Sequence, residues 1–339
     1  MALRLLELTV PNEELAGIPS LLRDTPVIHV SMSASESGTG LARILLEADH
    51  TEAVSDVLAL HFSSRDDFRL ILLAVEATVP PVAAPPEAES SPGAEVPADK
   101  PGPIRLSREE LYEDLAQASN LTLVHVVMVA LSTVVAAVGL IRGDVAIIIG
   151  AMVIAPLLGP NMALSLACTL GDPALAKRSV KTMSVGLATA IALALVVGAV
   201  LRVDPLAPEL AARTRPDVGD ILLALAAGAA GTLAFTSGVP AVVVGVMVAV
   251  ALLPPLVAAG LLAGSGHAMP ALGALILLLT NVTCINLAAV ATFLVQRVRP
   301  RTWWEEDRAK KATRIAVATW IAMLIFLLGL MLLFRTGVV

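Results

Sequence analysis

The chain has 339 residues, of which 57% are hydrophobic and 15% charged, with a formal net charge of -6 and a mean hydropathy of +0.83. A charged fraction so far below the soluble norm of roughly 25% excludes an ordinary water-soluble protein and gives an integral membrane protein. The basic residues lie at the ends of apolar runs rather than in a patch or stripe, which argues against nucleic acid as a partner.

The first residues, Met1 to Glu7, have no apolar stretch of the length a cleaved signal peptide needs, so export of the N-terminal part is not expected. Residues 1–80 read as a small soluble α+β domain. Ala2 to Val10, Val27 to Ser33, Leu41 to Ala48 and Arg69 to Val79 are strand-like, and Asn12 to Arg23 and Thr51 to Ser63 carry apolar residues at helical spacing. The succession strand, helix, strand, strand, helix, strand is the split βαβ order of a ferredoxin-like sandwich. Ser37-Gly38-Thr39-Gly40 falls at the central hairpin and reads as a turn; Arg43 stands where a dinucleotide fingerprint needs a third glycine.

Residues 81–104 are rich in Pro, Ala, Glu and Ser, cannot bury a core, and predict a disordered linker. Residues 105–120 predict an amphipathic juxtamembrane helix, opened by the capping box Ser107-Arg108-Glu109-Glu110. The rest, 121–334, predicts a membrane all-α bundle of about seven transmembrane helices, at 121–141, 145–170, 180–201, 220–236, 239–264, 270–296 and 312–334. Each is long enough to cross a hydrocarbon layer about 30 Å thick, although the fourth is short and rich in Ala and Gly.

A shift of 95 residues lays Gly150, Met152, Val153, Leu157, Leu158, Pro160 and Gly171 on Gly245, Met247, Val248, Leu252, Leu253, Pro255 and Gly266 without a gap. The bundle therefore reads as a 3+3 repeat plus one helix. With three spans in each set, the second enters from the opposite side, which makes the repeat inverted, the pattern that points to secondary transporters with a site near the midplane. Twelve Lys and Arg lie near the span ends on one side, among them Arg108, Lys177, Arg178, Arg297 and Lys311, against five on the other. That asymmetry places the soluble domain in the cytosol.

Chemistry is expected where the second and fifth spans carry proline pairs, Pro156 with Pro160 and Pro254 with Pro255. Each proline removes an amide donor, so both helices should kink or unwind at mid-depth. Freed carbonyls and helix starts there could cradle an ion or anionic solute, the plain alternative being a pair of packing kinks. The candidate substrate-binding residues are Met152, Pro156, Gly159, Pro160, Met247, Pro254, Pro255 and Asn281. Asn281 and Asn286 are five residues apart, so one could line a site while the other bonds a neighbouring helix. No carboxylate or basic residue stands at mid-depth, and His125 reads as interfacial. Cys168 and Cys284 read as small hydrophobes. No hydrolase, P-loop or zinc signature occurs, so neither an enzyme, a cofactor nor a metal is expected.

Ser107 to Tyr112, Ile147 to Pro160, Leu252-Leu253-Pro254-Pro255 and Thr280-Asn281 together resemble the hydrophobic membrane-protein family catalogued as domain of unknown function 389. The resemblance covers about residues 105–296 and implies a prokaryotic inner-membrane protein with a variable soluble extension. It implies no substrate. Asn161 departs from the apolar residue the resemblance leads one to expect, and is not carried over as a site residue. The expected function is a transporter or channel for a small solute or ion with a cytosolic regulatory domain, the alternative being a non-transporting receptor or scaffold that anchors and oligomerises the soluble domain. The expected partners are the lipid bilayer and the solute, with a homo-oligomer left open.

Overall fold

The computed structural model describes residues 3–36, 38–62, 68–75, 78, 106–201, 203–237, 241–298 and 303–335, and the side chains within these except those of 241–250, 303–308 and 335. The linker expected at 81–104 lies outside the described residues. The chain divides into two compact units, Met1–Leu111 and Tyr112–Val339.

In the first unit, strands β1 (Leu3–Pro11), β2 (His29–Ser33), β3 (Thr39–Glu47) and β4 (Arg69–Val75) form an antiparallel sheet in the order β2-β3-β1-β4. Alternation sets one face of the sheet inward. Leu6, Leu8 and Val10 of β1 face the helices with Ala42, Ile44 and Leu46 of β3, and Val54, Leu58 and Phe62 of helix α3 (Thr51–Phe62) close the core. The helix expected over Asn12 to Arg23 is two short ones, α1 (Asn12–Leu15) and α2 (Ile18–Leu21). Pro19 explains the division: it cannot donate an amide to an ongoing helix, but costs nothing in the first turn of a new one. Gly38, at φ +85°, turns β2 into β3, the turn the sequence predicts. The capping box forms at the head of helix α4 (Arg108–Ala118): the amide of Ser107 donates to Glu110 at 3.1 Å and the amide of Glu110 to the Ser107 hydroxyl at 3.3 Å. Arg108 is held by Glu109 and Asp56, and Arg4 by Glu110 at 2.9 Å.

The second unit is helical. It contains α5 (Leu123–Arg142), α6 (Val145–Ile154), α7 (Leu158–Leu170), α8 (Pro173–Val200), the short α9 (Pro208–Ala211), α10 (Val218–Thr236), α11 (Ala241–Gly264), α12 (Ala268–Val295) and α13 (Trp303–Arg335). Among the described residues α5, α8, α10, α12 and Ala309–Phe334 of α13 are long and apolar enough to cross a membrane. The pair α6 and α7, bent by 54°, adds a sixth crossing if it counts as one span. The chain is thus a multi-pass membrane protein.

Side-chain caps start α5, α6, α8 and α10: Thr122, Asp144, Asp172 and Asp217 each accept from amides of the first turn. Asp172 also receives the Tyr112 hydroxyl at 2.7 Å, which raises the Tyr112 pKa, with burial adding to the effect. The packing rests on small residues. Gly186, Ala190, Ala194 and Gly198, four apart, form the buried side of α8. A Cβ on Gly198 would run into the backbone of Leu261, and one on Gly264 into that of Leu195, so α8 and α11 touch almost backbone to backbone. Helices α7, the 251–262 part of α11 and the middle of α12 are buried, whereas α8, α10 and α13 turn residues such as Val196, Leu222 and Phe326 outward.

Candidate functional site

The break in the α6–α7 span follows from local sequence. Ala155 precedes Pro156, and a residue before proline is pushed out of the helical region; Ala155 is accordingly extended, with φ −70° and ψ 116°. Pro160 does no harm, because it occupies the third position of α7, where an amide has no helical acceptor in any case. The start of α7 is buried around Leu157, Leu158 and Pro160, yet no side chain caps it.

The second proline pair behaves differently from expectation. Pro254 and Pro255 lie inside α11, which runs unbroken from Ala241 to Gly264. The 95-residue shift gives the reason: Pro160 corresponds to Pro255, but Pro156, the breaking residue, corresponds to Ala251, which keeps its amide and its helical conformation. What Pro255 does remove is the donor for the Ala251 carbonyl four residues back. Asn281 of α12 replaces it, its Nδ2 donating to that carbonyl at 2.7 Å.

A second polar contact joins α7 to α12. The Ser165 hydroxyl donates to Asn286 Oδ1 at 2.8 Å, and Asn286 Nδ2 donates to Asn161 Oδ1 at 2.6 Å and to the Val282 carbonyl at 2.8 Å. Backbone carbonyls settle the orientation of these amides, since a carbonyl can only accept. Val282 fixes Asn286, Asn286 then fixes Asn161, and Ala251 fixes Asn281. Two buried atoms remain without a partner, the donor Asn161 Nδ2 and the acceptor Asn281 Oδ1. Asn161 is 0% exposed and Asn281 5%. Leaving such an atom unpaired in an interior costs about 1–3 kcal/mol.

Of the residues expected at the site, Met152, Pro160, Pro254, Pro255 and Asn281 are buried, and Pro156 and Gly159 half-buried. Asn281 meets the Pro255 turn through Ala251. Gly159 instead faces α4: a Cβ there would press on Ala118. The side chain of Met247 lies outside the described residues. Asn281 and Asn286 both bond neighbouring helices, Asn281 on α11 and Asn286 on α7. The contribution of Asn161 and Ser165 was not foreseen; the available signal was Asn161, Ser165 and Thr169 at four-residue spacing, one polar edge on an apolar helix. A cavity of about 440 Å³ is lined by Arg215, Pro216, Asp217, Met331 and Phe334, and one of about 380 Å³ by Ile191, Ala259, Ala263, Ala271 and neighbours. Neither touches the prolines of the expected site. Among the described residues no three His, Cys, Asp or Glu side chains gather as a metal site.

No solved structure matches the chain. An uncharacterized protein of Methanocaldococcus jannaschii is 35% identical over 325 residues, which cover 96% of this chain and 97% of that protein. The family described as Domain of unknown function (DUF389) matches residues 152–287, the stretch that holds the α6–α7 break, Asn161, Pro254, Pro255, Asn281 and Asn286. The chain belongs to this DUF389 family.

Proposed function

We propose that the protein is a transporter or channel that moves a small solute or ion across a prokaryotic inner membrane, with a ferredoxin-like regulatory domain on the cytosolic side and no enzymatic activity. The observation that carries the proposal is the pair of unpartnered amide atoms, Asn161 Nδ2 and Asn281 Oδ1, buried in a bundle that also contains an uncapped helix start. A bundle that served only as an anchor would be more stable with apolar residues there.

The arrangement of helices supports a 3+3 inverted repeat plus one. Adding 95 to the bounds of α5 gives 218–237, beside α10 at 218–236; adding it to α8 gives 268–295, the bounds of α12. The cap position Thr122 moves onto Asp217 and the positive-φ Gly171 onto Gly266. Packing is reciprocal: α7 of the first set lies on α12 of the second, and α11 of the second on α8 of the first, as a two-fold axis in the membrane plane requires. The strand order β2-β3-β1-β4 supports the ferredoxin-like reading of the soluble domain.

The test is reconstitution of the purified full chain into liposomes and measurement of flux across a panel of inorganic ions and small organic solutes. Protein-dependent flux of one class, lost on Asn161→Leu while the protein stays folded, is the expected result. Absence of flux for every member of the panel would favour the scaffold reading, which the close α8–α11 contact and the unbroken α11 support.

A further inference from the structure

We infer that the cavity of about 440 Å³ between the α9–α10 connection and the end of α13 is a phospholipid site, with the lipid phosphate on Arg215 and the top of an acyl chain on Met331 and Phe334. The inference goes beyond the transport reading and does not depend on it. The cavity is built where the ends of three helices meet. Gly273, in the second turn of α12, has no room for a Cβ: one there would run into the carbonyl of Thr214, just ahead of α10, and lie 3.2 Å from the ring of Phe334, next to last in α13. The sulfur of Met331 lies 3.9 Å from the Thr280 hydroxyl, further along α12. The walls are therefore held by packing. They stand at the ends of helices long and apolar enough to cross a membrane, where the hydrocarbon layer gives way to lipid headgroups.

The lining identifies the occupant. Arg213 is held by Glu209 at 2.9 Å, but Arg215 is exposed and has no hydrogen bond or ion pair among the described residues. Asp217, the one acid of the lining, caps α10 and accepts from amides of its first turn. The charge left without a partner is thus positive, and a guanidinium fork matches the paired oxygens of a phosphodiester. Met331 and Phe334 make the rest of the lining apolar. They belong to α13, of whose most apolar stretch only 11% is buried, and Leu332 beside them is exposed. A free anion would use Arg215 and leave the apolar part of the cavity empty, whereas a phospholipid uses both. Basic pockets between membrane spans are a general form of headgroup site.

The test is native mass spectrometry of the purified full chain, stripped of lipid in detergent and titrated with dioleoylphosphatidylglycerol. One lipid molecule should bind more tightly than those that follow. Arg215→Ala should weaken that first binding by about tenfold or more, without changing the thermal midpoint, because the side chain it removes is exposed and unpaired. Dioleoylglycerol, which has the chains and no phosphate, should not occupy the site, and millimolar inorganic phosphate, which has no chains, should not displace the lipid. A first lipid bound as tightly by Arg215→Ala as by the unsubstituted chain overturns the inference. Equal binding of dioleoylglycerol overturns it as well, and so does displacement by inorganic phosphate, which would assign the cavity to a free anion. The last two results come from the unsubstituted chain and stand whether or not the variant folds.

Discussion

Pro255 takes away the amide that would bond the Ala251 carbonyl, and Asn281 supplies the replacement donor from the next helix at 2.7 Å. Neither residue is fully explained alone. Asn281→Leu should destabilise the folded chain by about 1–3 kcal/mol, the cost of leaving a buried carbonyl unpaired. In a Pro255→Ala background the helix regains its own donor, and the same substitution should cost markedly less. Unfolding of the four proteins in detergent measures the coupling, and additive effects would show that the two side chains do not share the carbonyl. At this scale the sequence was only partly legible. Asn281 could be singled out because an amide in an apolar span needs a partner, but the partner was set by a proline 26 positions away. Asn161 stands out as a polar residue but departs from the apolar residue the family resemblance leads one to expect, and its importance comes from Asn286, 125 residues further on. Spacing within one helix does not disclose which helix will face it.

Elements were more legible than contacts. Hydropathy and length located the spans, because about 20 apolar residues in a helix match the hydrocarbon layer whatever their neighbours. The proline pairs were less so. At Pro156 the preceding residue, Ala155, is expelled from the helix and the span breaks, whereas α11 continues through Pro254 and Pro255, with Asn281 taking up the carbonyl that Pro255 frees. Glycines show the same dependence on surroundings. Gly198 and Gly150 both sit inside apolar helices, yet a Cβ on Gly198 would overlap the Leu261 backbone while one on Gly150 meets nothing within 4 Å. Gly198→Ala should therefore separate α8 from α11 and lower the thermal midpoint of the purified protein. Gly150→Ala should leave it unchanged or raise it, since alanine is favoured over glycine in a helix by about 0.8–1.0 kcal/mol. Equal effects at the two positions would remove the α8–α11 contact as a source of stability.

The whole molecule poses a question of direction. If α6 and α7 together make one crossing, three crossings separate the start of α5 from the start of α10, and the second set then enters the membrane from the side opposite to the first. If the start of α5 is cytosolic, as the distribution of Lys and Arg argues, the turn before α8 is cytosolic and the equivalent turn before α12 is external. Ala174 and Met269 are a suitable pair for the test. They are 95 residues apart, each is the second residue of its helix, and both are exposed. In a background with Cys168 and Cys284 replaced by Ala, a cysteine at 269 should react with a membrane-impermeant thiol reagent added to intact cells. A cysteine at 174 should react only after the membrane is opened. The result depends on the parity of the crossings and not on any residue of the candidate site. It would be reversed, with 174 labelled and 269 protected, if the soluble domain were external, which leaves the repeat inverted, or if the α6–α7 pair turned back without crossing, which gives the two helix sets one orientation. Labelling of both positions from one side would mean that one of the three crossings between them, α8, α10 or α11, is not made.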